Sequence, residues 1–590
     1  MTKRQKNERV ESVQVLEKFG SFDGTTDVGE GTLCELRNLR RMTDGSLERR
    51  EGSVPLVTLG ADVRGVYFPE RDEEGLGYVV AGSKVGVIRR TDDGSAWQYG
   101  ELATLETTQG RVHFIRTYGA VILMDGKGLW YLTPTAATPL SPYVPLYGDG
   151  WGGKEDVSYP VAEGPNVLTR RLRARYRLAE TNSTIHLGFF AEQLEGVYVA
   201  GTPVEASTYV FSSGVKDSYV FLPLNKTFPA NTDIDVFVVM PEDFCAGWAS
   251  PPVIERAVRV GDAEDERMLL FGKNGAGQDA TWLSHMTTRQ RRDQLRRYEP
   301  QNSMLYLTEE DGFDVGDGVD LPTGACRHYD RSLIFTAVNT WGAEGRSGLS
   351  SLIPVNTTWG CTSPEGVAVL GNTPITVCGR SILRWTTDTD ERNECNAVSI
   401  SAPIAALLPE TFGKQAVAFA HQARREVWFY VPGSAGRIWV WQDAMGGWTS
   451  FDGFSPQGVF AIGNRVGYFS GATVWVLDER ALCDKGADGA VSGIPAVYES
   501  GWLDLGGEQY MKRGLEALVC VQAGSQEITM TLSSDRGMEQ SVPMQCDGSE
   551  VCALGCRGEL GRFRMVRVRL TASGVGPMRL WCIRLTARHS

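Results

Sequence analysis

Four stretches of this 590-residue sequence put chemically capable residues close together. The first is the acidic run 309–320, in which Asp311, Asp314, Asp317 and Asp320 recur at every third position. Such a density of carboxylates could gather around calcium. An EF-hand loop, however, takes its ligands from alternate positions and closes on a distal Glu. That order is missing, so the run reads as a solvated loop, with calcium as the alternative to test. The second stretch, Gly-Lys-Asn-Gly-Ala-Gly-Gln at 272–278, is glycine-rich but lacks the order of a phosphate-binding P-loop. It reads as a hairpin turn. The third and fourth stretches are basic. Arg171, Arg173, Arg175 and Arg177 alternate with Leu172, Ala174, Tyr176 and Leu178, which predicts a half-buried strand with a basic outer face. Thr287 to Tyr298 reads as a helix, capped by Thr287 or Thr288 and stopped by Pro300; it carries Arg289, Arg291, Arg292, Arg296 and Arg297. On an acidic protein, each basic face is a candidate dock for an acidic partner or a neighbouring subunit, and the helix could instead face DNA.

No stretch supplies a reaction. The Gly-x-Ser-x-Gly elbow and the His-Glu-x-x-His helix are both missing. No Cys-x-x-Cys occurs among the twelve cysteines, whose closest pair is Cys552 and Cys556, and with six scattered histidines no zinc-ligand set appears. The expectation is therefore no catalytic residue, no metal and no cofactor. A glycosidase would use paired carboxylates, and none is picked out by context among the 72 Asp and Glu.

The net charge of −13 argues against a protein that grips nucleic acid, since grip requires a basic surface that displaces counterions. The N-terminal stretch is charged, and no run of about 18 apolar residues occurs. The expectation is a chain without signal peptide or membrane helix that folds in the cytoplasm, with reduced thiols.

The elements that must position these residues are strands. Short apolar or alternating runs lie between Gly, Asp, Asn and Ser turns, helped by 68 glycines. The clearest unit runs from Gln415 to Asp452, with four strands and Trp428, Trp439, Trp441 and Trp448 among them. Four-strand meanders recurring at about 40 residues predict an all-β fold, a β-propeller of about six blades. Two segments break the rhythm: 160–262, read as an inserted β-sandwich, and 493–590, read as a C-terminal β-sandwich. The remaining boundaries are an N-terminal arm and hairpin at 1–53, the first blades at 54–159 and the other blades at 263–484, followed by a linker at 485–493.

Asn38 and Leu39, then Asp44, Gly45 and Leu47, then Arg49 and Gly52 form a pattern that resembles the N-terminal signature of the tail nozzle, tail hub or stabilisation proteins of short-tailed phages. The family often has Pro where this chain has Glu51. Stretches 268–274, 280–286, 324–342, 355–372, 397–404 and 501–506 resemble the family in the same order, and 160–262 matches it least. The resemblance implies a structural virion protein, assembled in the host cytoplasm. It implies a homo-hexameric ring between the adaptor of the head-to-tail connector and the tail fibre or spike. Genomic DNA would pass through the ring without sequence-specific binding, and the ring would help retain packaged DNA. The alternative reading is a carbohydrate-binding or glycoside-hydrolysing propeller.

Overall fold

The computed structural model describes the chain except for residues 1–10, 18, 21, 24–32, 70–74, 92–93, 95, 118–119, 150–163, 215–216, 250, 262–266, 285–303, 317–319, 330, 344–351, 387–392, 394, 508, 525, 547, 549–550 and 590. The protein is all-β, a β-propeller with additions. Among the described residues the one α-helix is the short Phe412–Gln415. No helix there is long and apolar enough to cross a membrane.

Among the described residues, seven small sheets follow one another along the chain, numbered here as blades 1 to 7. Their first strands are Val63–Tyr67, His113–Thr117, Val253–Val260, Gly324–His328, Val367–Leu370, Val417–His421 and Gly458–Ile462. The chain divides into two compact units, 1–102 with 335–341 and 354–590, and 103–334 with 342–353.

In the first unit, the first strand of blade 5 packs beside that of blade 6, blade 6 beside blade 7, and blade 7 beside blade 1. First strand against first strand is the arrangement of sheets set radially about a centre. Burial follows from it. In blade 6 the strands Glu426–Tyr430, Ile438–Gln442 and Gly447–Phe451 are buried along their whole length, because neighbouring sheets cover both faces. The aromatic residues fill the gap: Trp441 lies 5.3 Å from Trp448, and Trp428 lies 5.3 Å from Phe451.

Five strands near the N-terminus serve this unit: β1 (Glu11–Leu16), β2 (Leu33–Arg37), β3 (Leu39–Arg41), β4 (Leu47–Arg49) and β5 (Gly52–Thr58). β5 pairs with Thr473–Asp478 and becomes the fourth strand of blade 7. The expected arm at 1–53 is not separate. One sandwich sheet has the order β3, β4, Arg579–His589, Lys512–Gln522, Cys552–Phe563, with β1 also on Arg579–His589. The other joins β2 to Ala496–Ser500, Val566–Ala572, Glu527–Ser534 and Glu539–Gln545. β2 also bridges in parallel to blade 6 at Arg37 and Ser450, so this sheet is continuous with the blade. The expected linker contains a small hairpin, Asp484–Lys485 with Val491–Ser492.

In the second unit the first strand of blade 2 packs beside that of blade 3, and blade 3 beside blade 4. Between blades 2 and 3 in sequence lie a five-stranded and a three-stranded sheet, from Leu146–Asp149 to Asp233–Val239. This insertion starts earlier than position 160, and it ends before Val253–Val260, which pairs with Arg267–Lys273 in blade 3. Its buried side chains Leu172, Tyr176 and Val236 form one cluster with Met124 of blade 2 and Leu270 of blade 3. The seventh blade escapes the sequence rhythm for two reasons: blade 3 begins inside the segment read as insertion, and blade 7 completes itself with a strand from far away in sequence.

Candidate functional site

The pattern from Asn38 to Gly52 folds into a densely hydrogen-bonded polar site of the first unit. Asn38 sits at the turn between β2 and β3 with φ 55°, a left-handed conformation that Asn tolerates better than most residues. It is fully buried. Its side-chain amide donates to the Pro495 carbonyl at 2.7 Å and to the Asp452 carboxylate. Its Oδ1 accepts from Asp452 N at 2.9 Å and Arg50 Nε at 3.0 Å. Both sides of the amide are thus satisfied, as a buried amide requires.

Arg50 follows β4, and its side chain has no exposure. Its Nη1 and Nη2 reach Asp484 Oδ1 and Oδ2 at 2.9 and 2.7 Å, a two-pronged pair. The same nitrogens donate to the carbonyls of Glu51 and Asp452, both at 2.9 Å. With Nε on Asn38, all five guanidinium donors are used. Gly52 opens β5 where the chain passes against backbone. A Cβ there would lie 2.1 Å from the Cys483 carbonyl oxygen and 2.6 Å from that of Ala481, so close approach alone demands glycine. Leu39 and Leu47 are fully buried in the sandwich core. Asp44 accepts from Ser46 N at 3.0 Å across Gly45 (φ 87°), and from Arg579 Nη2 at 2.6 Å. The Ser46 hydroxyl, foremost, holds its carboxyl below the ordinary value.

Beside this hub lies a cleft of about 510 Å³, lined by Arg40, Arg49, Glu51, Arg424, Glu426 and Met578 among others. Arg40 Nε donates to Glu426 Oε1 at 2.9 Å, and Nη1 pairs with Glu51. Arg424 pairs with Glu51 and reaches Glu479 at 3.0 Å. Burial pulls the Arg40 value down, but Glu426 and Glu51 outweigh it and raise the value further above the ordinary one. Burial would raise Glu51, yet Arg40 and Arg424 hold it at about 2. Arg49 differs: Nη1 donates to the Gly574 and Gly576 carbonyls at 2.9 Å, and Nη2 to Gln526 Oε1 at 3.0 Å. Burial, then the charge of Arg50, brings it down to about 10. The chemistry that follows is restricted. A general acid near neutral pH must hold a proton to give. Glu51, locked between two guanidinium groups, holds none. The cleft wall is an ion network that fastens strands together.

The basic stripe sits on the strand Arg171–Arg177 of the insertion, with the predicted alternation of exposure. The antiparallel neighbour Asp233–Val239 brings carboxylates opposite it. Arg175 makes a two-pronged pair with Asp235 at 2.7 and 3.0 Å, and Arg177 donates to Asp233 at 2.8 Å. Arg171 donates to Glu195 at 2.7 Å. Arg173 Nε is buried without a hydrogen-bond acceptor. The stripe is therefore largely neutralised within its own sheet, not displayed as a bare cationic face. Arg289, Arg291, Arg292 and Arg296 lie outside the described residues, with the whole predicted helix 287–298.

In the acidic run, Glu309–Asp311 forms one 3-10 turn. Asp311 accepts from Thr308 N at 2.6 Å, and Glu309 accepts from Gly247 N at 2.9 Å. Asp317 lies outside the described residues. Among the described residues no cluster of His, Cys, Asp and Glu suited to a metal occurs. The glycine-rich stretch is a hairpin turn between Arg267–Lys273 and Asp279–Leu283, held by Asn274 Oδ1 on the amides of Ala276 and Gln278 at 3.0 Å each.

Sequence reasoning missed the ion-pair roles of Arg40, Arg50 and Glu51, which lie within the pattern, and did not single out Arg424, Glu426, Asp452 or Asp484. Their partners are up to 434 positions away, and no local signal announces them. Glu51, the position where the phage-tail pattern is broken, supplies the carboxylate between Arg40 and Arg424.

No family model matches the chain, and no curated protein matches its sequence. Among solved structures it is similar to the WD40 domain of SCAP from fission yeast, at 8% identity over 72% of this chain and 98% of that one, with a TM-score of 0.31. It is similar to the CNH domain of AfRom2, at 8% identity over 72% and 99%, with a TM-score of 0.35. It is also similar to an exo-β-1,3-galactanase from Phanerochaete chrysosporium, at 10% identity over 68% and 100%, with a TM-score of 0.22.

Proposed function

We propose that this chain is a structural, non-catalytic component of a short-tailed phage tail, a nozzle or hub protein. In this reading it forms a homo-oligomeric ring around the DNA exit channel of the virion. The ring joins the adaptor side to the distal tail and its fibre or spike, and helps retain packaged DNA. The observation that supports it most is the behaviour of the motif residues. Asn38, Leu39, Asp44, Gly45, Leu47, Arg49 and Gly52 carry the likeness to those proteins: Asn38 ties the turn to Asp452, Leu39, Leu47, Asp44 and Arg49 tie the strands to the sandwich, Gly45 turns the hairpin and Gly52 lets the chain pass beside Cys483. Each has a packing, turn or hydrogen-bonding role in the fold. The net charge of −13 fits a wall past which DNA slides, since like charge lowers residence on the surface.

Electron microscopy and solution mass of the purified full chain test the proposal. Closed rings are expected, with no appreciable DNA binding even at low salt. A monomer that scores on a glycan array would replace this reading with a carbohydrate-active propeller. Tight DNA binding at low salt would remove the sliding-wall mechanism.

A further inference from the structure

The strands Lys512–Gln522 and Arg579–His589 run antiparallel in the sandwich, and their register places Cys520 directly opposite Cys582. Opposed residues of an antiparallel pair have Cα atoms about 4.5–5.5 Å apart and side chains on one face. A disulfide accepts Cα separations of about 4.4–6.8 Å. Register alone therefore brings the pair within bonding geometry. Both thiols are free and half-buried, and they lie within hydrogen-bonding reach of one another.

The neighbouring thiols do not compete for either partner. Cys552 is buried and faces Val521, and Cys556 faces Ala517. One step beyond the pair the register breaks. Val521 faces Leu580, so Trp581 is the extra residue of a bulge.

We propose that Cys520 and Cys582 form a cross-strand disulfide in an oxidising medium, a redox-set clasp on the C-terminal sandwich. In a reducing medium both remain thiols. With a small disulfide such as oxidised glutathione as the oxidant, a cysteine thiolate attacks one glutathione sulfur and expels one glutathione thiolate. The second cysteine, deprotonated, attacks the mixed disulfide and expels the other glutathione thiolate. Two protein thiols lose two electrons and two protons, and one oxidised glutathione becomes two reduced ones.

The strand Arg579–His589 is where the clasp matters. It carries β4 through Leu47 opposite Leu580, and β1 from Glu11 to Leu16 along Ile583 to Arg588. The bond would also close the loop holding the four strands from Glu527–Ser534 to Val566–Ala572. Cross-linking so long a loop restricts the unfolded chain.

The test uses the full chain, reduced and then exposed to oxidised glutathione at mildly alkaline pH. Trypsin should release residues 514–536, which hold Cys520, joined to residues 580–584, which hold Cys582. The joined pair should be lighter by two hydrogens than the separate peptides. The oxidised chain should melt several degrees above the reduced one. Cys520→Ser and Cys582→Ser should each lose both the link and the shift. Free, alkylatable thiols at both positions, a lasting glutathione adduct, or a link to another cysteine would each overturn the proposal. An unchanged melting point in the linked chain would show a bond that clasps nothing. The comparison of oxidised with reduced wild type keeps the test decisive even if a variant fails to fold.

Discussion

The two described arginine groups share a residue type and differ in what surrounds them. Around Asn38, Arg40, Arg49 and Arg50 are buried, and each has an acceptor hundreds of positions away in sequence. In the insertion, Arg171 and Arg177 are half-exposed, Arg175 is more covered, and the acceptors of all three sit on other strands of the same sheet. A buried guanidinium such as that of Arg50, which uses every donor, fixes how distant segments meet, because any other arrangement leaves a desolvated charge unpaired. A half-exposed pair in water contributes little, since solvent screens it. The local sequence pattern was more conspicuous for the weaker group.

Removing Arg50 should give the largest effect. Arg50→Ala leaves Asp484 without its two-pronged partner and the Asn38 carbonyl with one donor fewer, for a loss of about 3–5 kcal/mol in chemical denaturation. A loss below about 1 kcal/mol, the range of an exposed pair, would erase the contrast. Gly52→Ala comes next. Its methyl group would overlap two backbone carbonyls, which cannot rotate aside, and overpacking of this kind costs about 1–3 kcal/mol or more. Thermal melting of the variant measures it, and a wild-type melting point would show that the backbone there yields freely.

Acid should separate the two units. Glu51 is held at about 2 against an ordinary 4.5, so the unfolded chain takes up the proton first. The stability this provides is complete above pH 4.5 and is lost as pH falls toward 2. In the second unit, burial foremost, then Arg111 and Arg256, bring His113 down to about 3 from 6.5. Its neutral burial favours folding above pH 6.5 and is lost earlier, as pH falls from 6.5 toward 3. Hydrogen exchange along an acid series should therefore loosen blade 2 before the Asn38 hub. Glu51→Gln should remove the hub's own acid transition, and persistence of that transition would assign it elsewhere. The smallest effect belongs to the exposed end of the stripe: Arg171→Ala should lose only about 0.2–1 kcal/mol, measured by urea titration.

Strand periodicity made blade 6 legible: a run such as Ile438–Gln442, buried throughout, is apolar because neighbouring sheets cover both its faces. The alternation of Arg171–Arg177 gave the right strand and the right inward residues, Leu172, Ala174 and Tyr176. The partners were not legible. Asp233 and Asp235 lie about 60 positions on, and nothing in the stripe states that its charge is already met. The same limit hid the extra blade, since Val253–Val260 reads like any other alternating strand until its partner is known.

By itself, the sequence determined the kind of element, the turns and the acidic balance, because these depend on residue type and spacing within a few positions. It also marked Asn38 through Gly52 as a pattern. Only the tertiary structure decided why those residues are there. Asn38 needs Pro495 and Asp452, Arg50 needs Asp484, and Gly52 needs room beside Cys483. Contacts between segments so far apart are set by which buried charges and amides can be satisfied together, and that is a property of the assembled chain.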